Sequence, residues 1–392
     1  MVFNQKVGLS VLGGAIFLSA YPYFVWGKSF LLVFCVLIAL LVSAYFLLVT
    51  KNKFSLSSLL FSLTSSLIVF FYSNLNDASL GYSIYLFVIF FCMFSLSKES
   101  VFFVFDLFKK IFAMSLIPGI VIWVLHLLSF NVELFFLGKI LIDNIPNQLK
   151  VEQGMGYYLF PGSVMLDYMM AWPVFRFQGM FDEPGVIGTI AALVLCSTRF
   201  ELKNKYNLLI FFGGVISFSL AFYVLTLIYY IMQIRRNVSF IVLSLTVFLF
   251  AATIPSPLAD FIDQRIVQRL LVNDDGELSG NNRYFSKDEK LFITWQEGDL
   301  KVFMFGLNEK LGGSSSWKNV FIKTGFIGFL IIVLIYASLC FRFRVGLSLH
   351  VLTMLVLFVA SFYQRTAILT PVFLIVFMAG ICGLKLIVIS NK

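Results

Sequence analysis

Charge is what this chain has least of. Asp, Glu, Lys and Arg make up 12% of it, where a soluble domain carries roughly 25%. A water-soluble exterior cannot be built from so little, so most of the outer surface is expected to face lipid. Histidine is scarcer still. His126 and His350 lie far apart on different apolar stretches, where each reads as a packed helix residue, and no metal cluster is evident. The five cysteines all fall inside apolar runs without CxxC spacing, which excludes a disulfide framework and a zinc site. No strong cleavable signal peptide stands out. The first apolar stretch is flanked only by Lys6 and reads as a retained span. No internal repeat is visible, so the inverted-repeat plan of many transporters has no support.

What is present is apolar bulk. Hydrophobic residues reach 60%, and there are 48 phenylalanines, rings that need no polar partner among acyl chains. The net charge of +9 does not point to nucleic acid. Its basic residues punctuate short loops between apolar runs, which is a topology signal. A span needs roughly 20 apolar residues. The pattern predicts spans near 7–25, 29–50, 54–73, 80–97, 110–130, 184–200, 206–217, 218–234, 238–254, 319–341, 346–361 and 368–388. The expected fold is thus all-α: one polytopic membrane domain over residues 1–392, with about twelve spans.

Orientation follows from the short basic loops. These are Lys51 with Lys53; Lys98, Lys109 and Lys110; Arg199, Lys203 and Lys205; Arg235 and Arg236; and Arg342 with Arg344. With both termini cytoplasmic, all of these loops fall inside. The short outer connections hold only Lys28, Arg365 and the segment Asn74–Ser79. The stretch 206–234 decides the count, because it runs 29 residues without a charge. As one tilted helix it would put Arg235, Arg236, Arg342 and Arg344 outside. Broken near Gly213-Gly214 and Ser217–Ser219, as two short spans or a re-entrant pair, it keeps every basic cluster inside.

Two long segments, 131–183 and 255–318, then face outward, and they hold 16 of the 20 acidic residues. The first ends in Arg176-Phe177-Gln178-Gly179-Met180-Phe181-Asp182-Glu183-Pro184-Gly185. Pro184 suits a first helical turn, and Asp182 or Glu183 can cap it. A helix N-terminus also attracts anions. Two acids beside Arg176 at the bilayer surface are costly unless used, although capping alone accounts for either acid. The small residues Gly185, Gly188 and Ala192 allow close helix packing. The second loop opens with Ser256-Pro257, which should start a helix running to about Val272. There Arg265 and Arg269 share a face with Leu258, Phe261, Ile262 and Val272. They either snorkel from an interfacial helix or reach a buried anion. Arg283 follows in the turn Ser279-Gly280-Asn281-Asn282-Arg283, ahead of a capping box at Ser286 and Glu289. Gly298 is expected to end that helix. The run Gly312-Gly313-Ser314-Ser315-Ser316-Trp317-Lys318 is either a linker or brings Lys318 to a lipid headgroup. Arg365, in Phe362-Tyr363-Gln364-Arg365-Thr366, stands close enough to hydrocarbon to be a functional candidate. Snorkelling is its plainer explanation.

These segments carry a resemblance. Arg176 to Gly188 resembles the RxxGxFxEPGxxG segment of bacterial O-antigen polymerases of the Wzy type. Ser279 to Arg283, and Ser315-Ser316-Trp317-Lys318 with Lys323-Thr324-Gly325-Phe326-Ile327-Gly328, resemble their second periplasmic loop and its exit. Ser361-Phe362-Tyr363-Gln364-Arg365 resembles a late motif. The matches run in order over residues 176–370, while residues 1–130 match only as apolar spans. The resemblance implies a bacterial inner-membrane glycosyltransferase of the lipid-dependent GT-C type. Its substrates would be undecaprenyl-pyrophosphate-linked glycans. It would move the growing glycan onto the nonreducing end of a fresh repeat unit at the periplasmic face, without a metal or other cofactor. A chain-length regulator is a candidate partner; nucleic acid is not.

The residue inventory suits that chemistry. The leaving pyrophosphate gains negative charge, which arginine neutralises with paired hydrogen bonds. Arg176, Arg283 and Arg365 are the expected catalytic cations, with Arg265, Arg269 and Lys318 as substrate-binding ones. Glu183 or Asp182 is the expected base for the acceptor hydroxyl, worth about 10²–10⁴-fold. Tyr363 can stack on sugar. Asp274-Asp275, in a turn-rich run, is the one DxD-like pair of the outer loops. An O-antigen ligase is the nearest alternative. Its family is associated with a periplasmic histidine, which neither long loop has, though His126 lies near an outer helix end. A lipid-linked oligosaccharide flippase or transporter is a second alternative, and it predicts charge deep within the spans.

The orientation is directly testable. Single cysteines placed in 255–318 should react with a membrane-impermeant maleimide from the outer side of intact cells. Labelling only after permeabilisation would invert the topology.

Overall fold

The computed structural model describes residues 3–25, 56–75, 80–128, 135–136, 157–160, 162–166, 175–233, 271, 286–307, 317–343, 345–346, 348–364 and 369–383. It is mostly helical. The helices are α1 (Phe3–Leu18), α2 (Leu56–Leu75), α3 (Leu80–Phe94), α4 (Lys98–Leu127), α5 (Pro184–Ser197), α6 (Lys205–Ile216) and α7 (Leu220–Met232). They continue with α8 (Ser286–Gln296), α9 (Leu300–Phe305), α10 (Lys318–Arg342), α11 (Leu349–Gln364) and α12 (Pro371–Cys382). The spans expected at 29–50 and 238–254 lie outside the described residues, as does the helix expected from Ser256, apart from Leu271. Every other expected span coincides with a helix. Among the described residues two helices, α4 and α10, are long and apolar enough to cross a membrane.

The first long loop differs from the helical expectation. Its described parts form a three-stranded antiparallel sheet in the order β1-β2-β3: β1 (Phe135–Phe136), β2 (Tyr157–Phe160) and β3 (Ser163–Leu166). Tyr157 pairs with Leu166 and Phe160 with Ser163. The tight reversal uses Gly162 at φ +79, a conformation glycine adopts without steric cost. The second loop holds short helices as expected. Asp299 caps α9, its carboxylate accepting from Val302 N–H at 2.8 Å, and Gly298 lies between α8 and α9.

The centre of the bundle is α5 packed against α12. Both are apolar and buried nearly all round, which marks an interior helix. Outer helices instead carry one exposed apolar face. On α2 it is Leu59, Leu60, Leu63, Leu67 and Phe71, at the three- and four-residue spacing that makes a stripe.

The stretch 206–234 is broken and reversed. Helix α6 ends at Ile216 and α7 begins at Leu220, with Phe218 at φ +44 between them. At the far end of α7, the rings of Tyr229 and Tyr230 lie 5.3 and 4.9 Å from Phe200, just before the start of α6. The chain therefore returns to the side it came from, which excludes a single tilted crossing. Helix α6 has 12 residues, and at 1.5 Å per residue it is about 18 Å long. Crossing a hydrocarbon core needs about 30 Å. The geometry is that of a short helical hairpin. Basic groups collect at its open end: the ammonium groups of Lys110 and Lys205 lie 5.9 and 5.3 Å from the Tyr206 ring.

The hairpin is held by close approach. A Cβ on Gly188 of α5 would collide with Ser219, and one on Gly214 with the Phe222 ring. Gly188→Val and Gly214→Val should each cost roughly 1–3 kcal/mol or more by overpacking. Gly81→Ala, where nothing lies within 4 Å, should be neutral or slightly stabilising. Thermal unfolding of the detergent-solubilised protein reads the difference. Equal melting of all three variants would contradict this packing.

Candidate functional site

The segment Phe175–Glu183 has no regular structure, so its backbone groups must find partners elsewhere. They find them on four separate elements. The Trp123 indole N–H of α4 donates to Phe175 O at 2.9 Å. Phe177 N–H donates to Ile216 O at the end of α6 (3.1 Å). The Gly179 carbonyl accepts from Val164 N–H of β3 (2.7 Å) and from the Ser163 hydroxyl (3.0 Å). Met180 O accepts from Tyr23 N–H (2.7 Å), in the turn that follows α1. Two buried rings anchor the same segment. Phe181 lies 6.3 Å from the Phe17 ring and 5.9 Å from the Phe112 ring. Phe177 fills the space opposite Gly119, where a Cβ would stand 2.6 Å from its ring. Between them Gly179 turns the chain at φ +52.

Depth follows from these contacts. Phe112 is only two residues from Lys110, which lies with Lys205 at the polar end. The tip of the hairpin stands about 18 Å from that end, the length of α6. Arg176 therefore lies about 18 Å from that polar end, and of the three charged residues Asp182 is buried while Arg176 and Glu183 are half-buried.

Arg176 is half-buried, and its Nε donates to Ser217 O at 3.3 Å. A helix end leaves its last carbonyls without partners. At the end of α6 three donors satisfy them: the Tyr223 hydroxyl on Val215 O at 2.8 Å, Phe177 N–H on Ile216 O and Arg176 on Ser217 O. A cation there also offsets the negative end of the helix dipole. Two helix starts converge on the same place. Glu183 is the N-cap residue of α5 and Ser219 that of α7, and neither makes a side-chain cap. Gly188, one turn into α5, touches Ser219. Asp182 is buried beside Glu183. The capping role expected of Asp182 or Glu183 thus has no side-chain bond behind it at Glu183.

The described candidates fall into two groups. Arg176 is at the hairpin tip, and Asp182 and Glu183 follow on the same segment where it enters α5. Lys318 and Tyr363 are beside one another at the start of α10, through Trp317. Tyr363 stacks on Trp317 with ring centroids 6.3 Å apart. Lys318 is paired with Glu289 of α8 at 2.7 Å and lies 5.1 Å from the Phe292 ring. It therefore ties α8 to α10, a role its Gly/Ser surroundings did not suggest. Arg265, Arg269, Arg283 and Arg365 lie outside the described residues, as do Asp274 and Asp275.

The sequence reading overlooked two side chains. Tyr223, on the turn after the break, braces the hairpin tip. Gln178 is buried and donates its amide to Phe181 O at 3.3 Å, while its Oε1 has no hydrogen-bond partner among the described residues. The available signal was a lone amide inside an aromatic run. His126 is also nearer than its helix position implied: its ring lies 4.9 Å from that of Phe175, the residue before Arg176. Among the described residues no three His, Cys, Asp or Glu groups are gathered to hold a metal ion. Comparison with protein-family models, curated proteins and solved structures finds no match to this chain.

The left-handed turn can be tested alone. Gly179→Ala forces a side chain into a φ of +52, a cost of roughly 1–2 kcal/mol. The variant should melt below the wild type, and an unchanged melting temperature would mean that this turn does not strap the segment.

Proposed function

We propose that the chain is a multi-span bacterial inner-membrane glycosyltransferase that polymerises undecaprenyl-pyrophosphate-linked repeat units. The membrane reading rests on the two helices long enough to cross and on the exposed apolar stripes of the others. Apolar surface of that extent marks contact with lipid or protein. The α6–α7 hairpin counts as one re-entrant pair, which keeps the basic loops on the cytoplasmic side and puts 255–318 outside. The observation that carries the enzymatic reading is that Arg176 reaches the hairpin tip, where the starts of α5 and α7 approach each other, on the same short segment that carries Asp182 and Glu183 into α5. One such place supplies positive potential for an anion and a carboxylate for a proton.

In the proposed step, the acceptor hydroxyl of the new unit attacks the anomeric carbon of the growing glycan. The bond from that carbon to the pyrophosphate oxygen breaks, and the leaving group takes the electron pair. Glu183 or Asp182 accepts the hydroxyl proton. Arg176, with Arg283 and Arg365, stabilises the charge developing on the pyrophosphate. Lys318 and Tyr363 flank the outer approach, and Arg265 and Arg269 supply further phosphate contacts.

His126 gives one specific reason to keep a ligase as the second reading, because it stands next to the segment that holds Arg176. Deleting the gene separates the readings by the glycan that remains. Single-repeat products indicate a polymerase. Intact lipid-linked polymer without attachment indicates a ligase. Loss of all periplasmic repeat units indicates a flippase. Within the polymerase reading, Arg176→Ala, Arg283→Ala and Arg365→Ala should each abolish long chains while the protein stays in the membrane. Normal ladders from all three would remove the proposed site. Glu183→Gln should cut polymer by about 10²-fold or more if Glu183 is the base, and a mild loss would leave it as the helix start alone. His126→Asn should leave the ladder intact.

A further inference from the structure

Helix α8 has a mainly polar exposed side, with Ile293 as its one exposed apolar residue, and a buried aromatic side. Lys290, Thr294 and Glu297 are exposed along one stripe. Phe292 and Trp295 on the other pack with Trp317, Phe321 and Ile322 of α10. Helix α9 does not divide this way. Val302 packs inward, yet Leu300 is 77% exposed and Phe305 63% exposed. For a short helix in an aqueous loop this is the wrong residue choice.

The apolar surface does not stop at α9. The Phe303 ring stacks on Phe326 of α10, with centroids 6.0 Å apart. Exposed Leu330, Val333 and Leu334 continue from Phe326 down α10 at the spacing of one helix face. The joint between the two helices is made by backbone. Helix α10 is interrupted at Gly325 (φ +62), and α9 ends at Gly306 (φ +83). A Cβ on Gly306 would stand 2.6 Å from Ile322 O, and one on Gly325 would collide with Met304 O. The interruption releases Ile322 O, which accepts from Leu307 N–H at 2.7 Å. The Trp295 indole also donates to Phe303 O at 3.1 Å. Helix α9 is thus fastened to the outer end of α10 with its apolar residues in line with those of a helix long enough to cross a membrane.

We infer that α9 is an in-plane membrane element whose exposed apolar residues, Leu300, Phe303 and Phe305, are covered by the acyl chains of the outer leaflet. The inference rests on the membrane reading of α10 given above. Continuity selects the occupant. The lipid that covers Leu330, Val333 and Leu334 reaches Phe326, and Phe326 and Phe303 are one stacked surface. Lys301, exposed on the same helix, can lay its methylene stem along that surface and keep its ammonium group among headgroups. The second outer loop is then seated at a fixed height, with Lys318 and Tyr363 at the same interface where a lipid-linked substrate presents its phosphates.

The test uses the full chain in phosphatidylethanolamine/phosphatidylglycerol vesicles. Leu300→Cys, Phe305→Cys, Leu334→Cys, Lys290→Cys and Glu297→Cys each carry an environment-sensitive fluorophore, with the unsubstituted protein as labelling control. Lipids brominated in the acyl chains should quench the labels at positions 300, 305 and 334. Aqueous iodide should quench those at 290 and 297. Iodide quenching at 300 and 305, with 334 still quenched by bromolipid, overturns this inference and leaves the membrane reading standing. Iodide quenching at 334 as well overturns both. Protection of 300 and 305 from both quenchers means that protein covers α9, a second copy or another chain, and overturns the lipid assignment.

Discussion

A helix that stops inside an apolar bundle leaves carbonyl groups with no water to turn to, and here that problem is solved by one irregular segment. The carbonyls of Val215, Ile216 and Ser217 take their hydrogens from Tyr223, Phe177 and Arg176. In a low-dielectric interior an unmet carbonyl costs several kcal/mol, so 175–183 supports the reversal by meeting Ile216 O and Ser217 O, while the Tyr223 hydroxyl and Phe218 N–H meet Val215 O from within the hairpin. The dependence runs both ways. The segment has no regular structure of its own and borrows its partners from α4, α6, β3 and the turn after α1. Arg176 is common to the structural solution and to the proposed chemistry: one guanidinium nitrogen closes a helix end while the group sits where two other helices begin.

Much of the fold could be read from the sequence because apolar length is a coarse and strong signal. The break at Ser217–Ser219 was legible for a different reason. Only a reversal there kept Lys203, Arg235 and Arg342 on one side, so charge settled what hydropathy left open. The sheet at 135–166 was not legible. Its strongest cue, Pro161-Gly162 between two apolar runs, is a hairpin signal that disappears when a polar loop is treated as one unit. The depth of 175–183 was hidden too. A loop with Phe177, Phe181 and three charges looks like a rim, and nothing in its composition reports that its rings reach Phe112.

The glycines of the resemblance motifs take on a plainer meaning. Gly179 turns the strap, Gly188 meets Ser219, and Gly325 lets α9 dock against α10. Each has a backbone reason independent of any substrate. The polar members of the same motifs, Arg176, Asp182 and Glu183, are the ones for which packing alone is an expensive explanation. Their burial also bears on the transporter alternative, which predicts charge within the bundle. Charged groups are buried in this bundle both on the irregular segment, at Asp182, and on α4, where Lys109 pairs with Asp106 at 3.0 Å.

The half-length of α6 and α7 has a consequence for how the chain is made. A helix of 12 or 13 residues is too short to be released sideways into a bilayer and wait there as a finished span. It can settle only against walls already in place, here α4 on one side and α5 on the other. Assembly of the hairpin is therefore coupled to its neighbours: α6 needs α4 and α5, and α7 also packs on α11, which follows it in the chain.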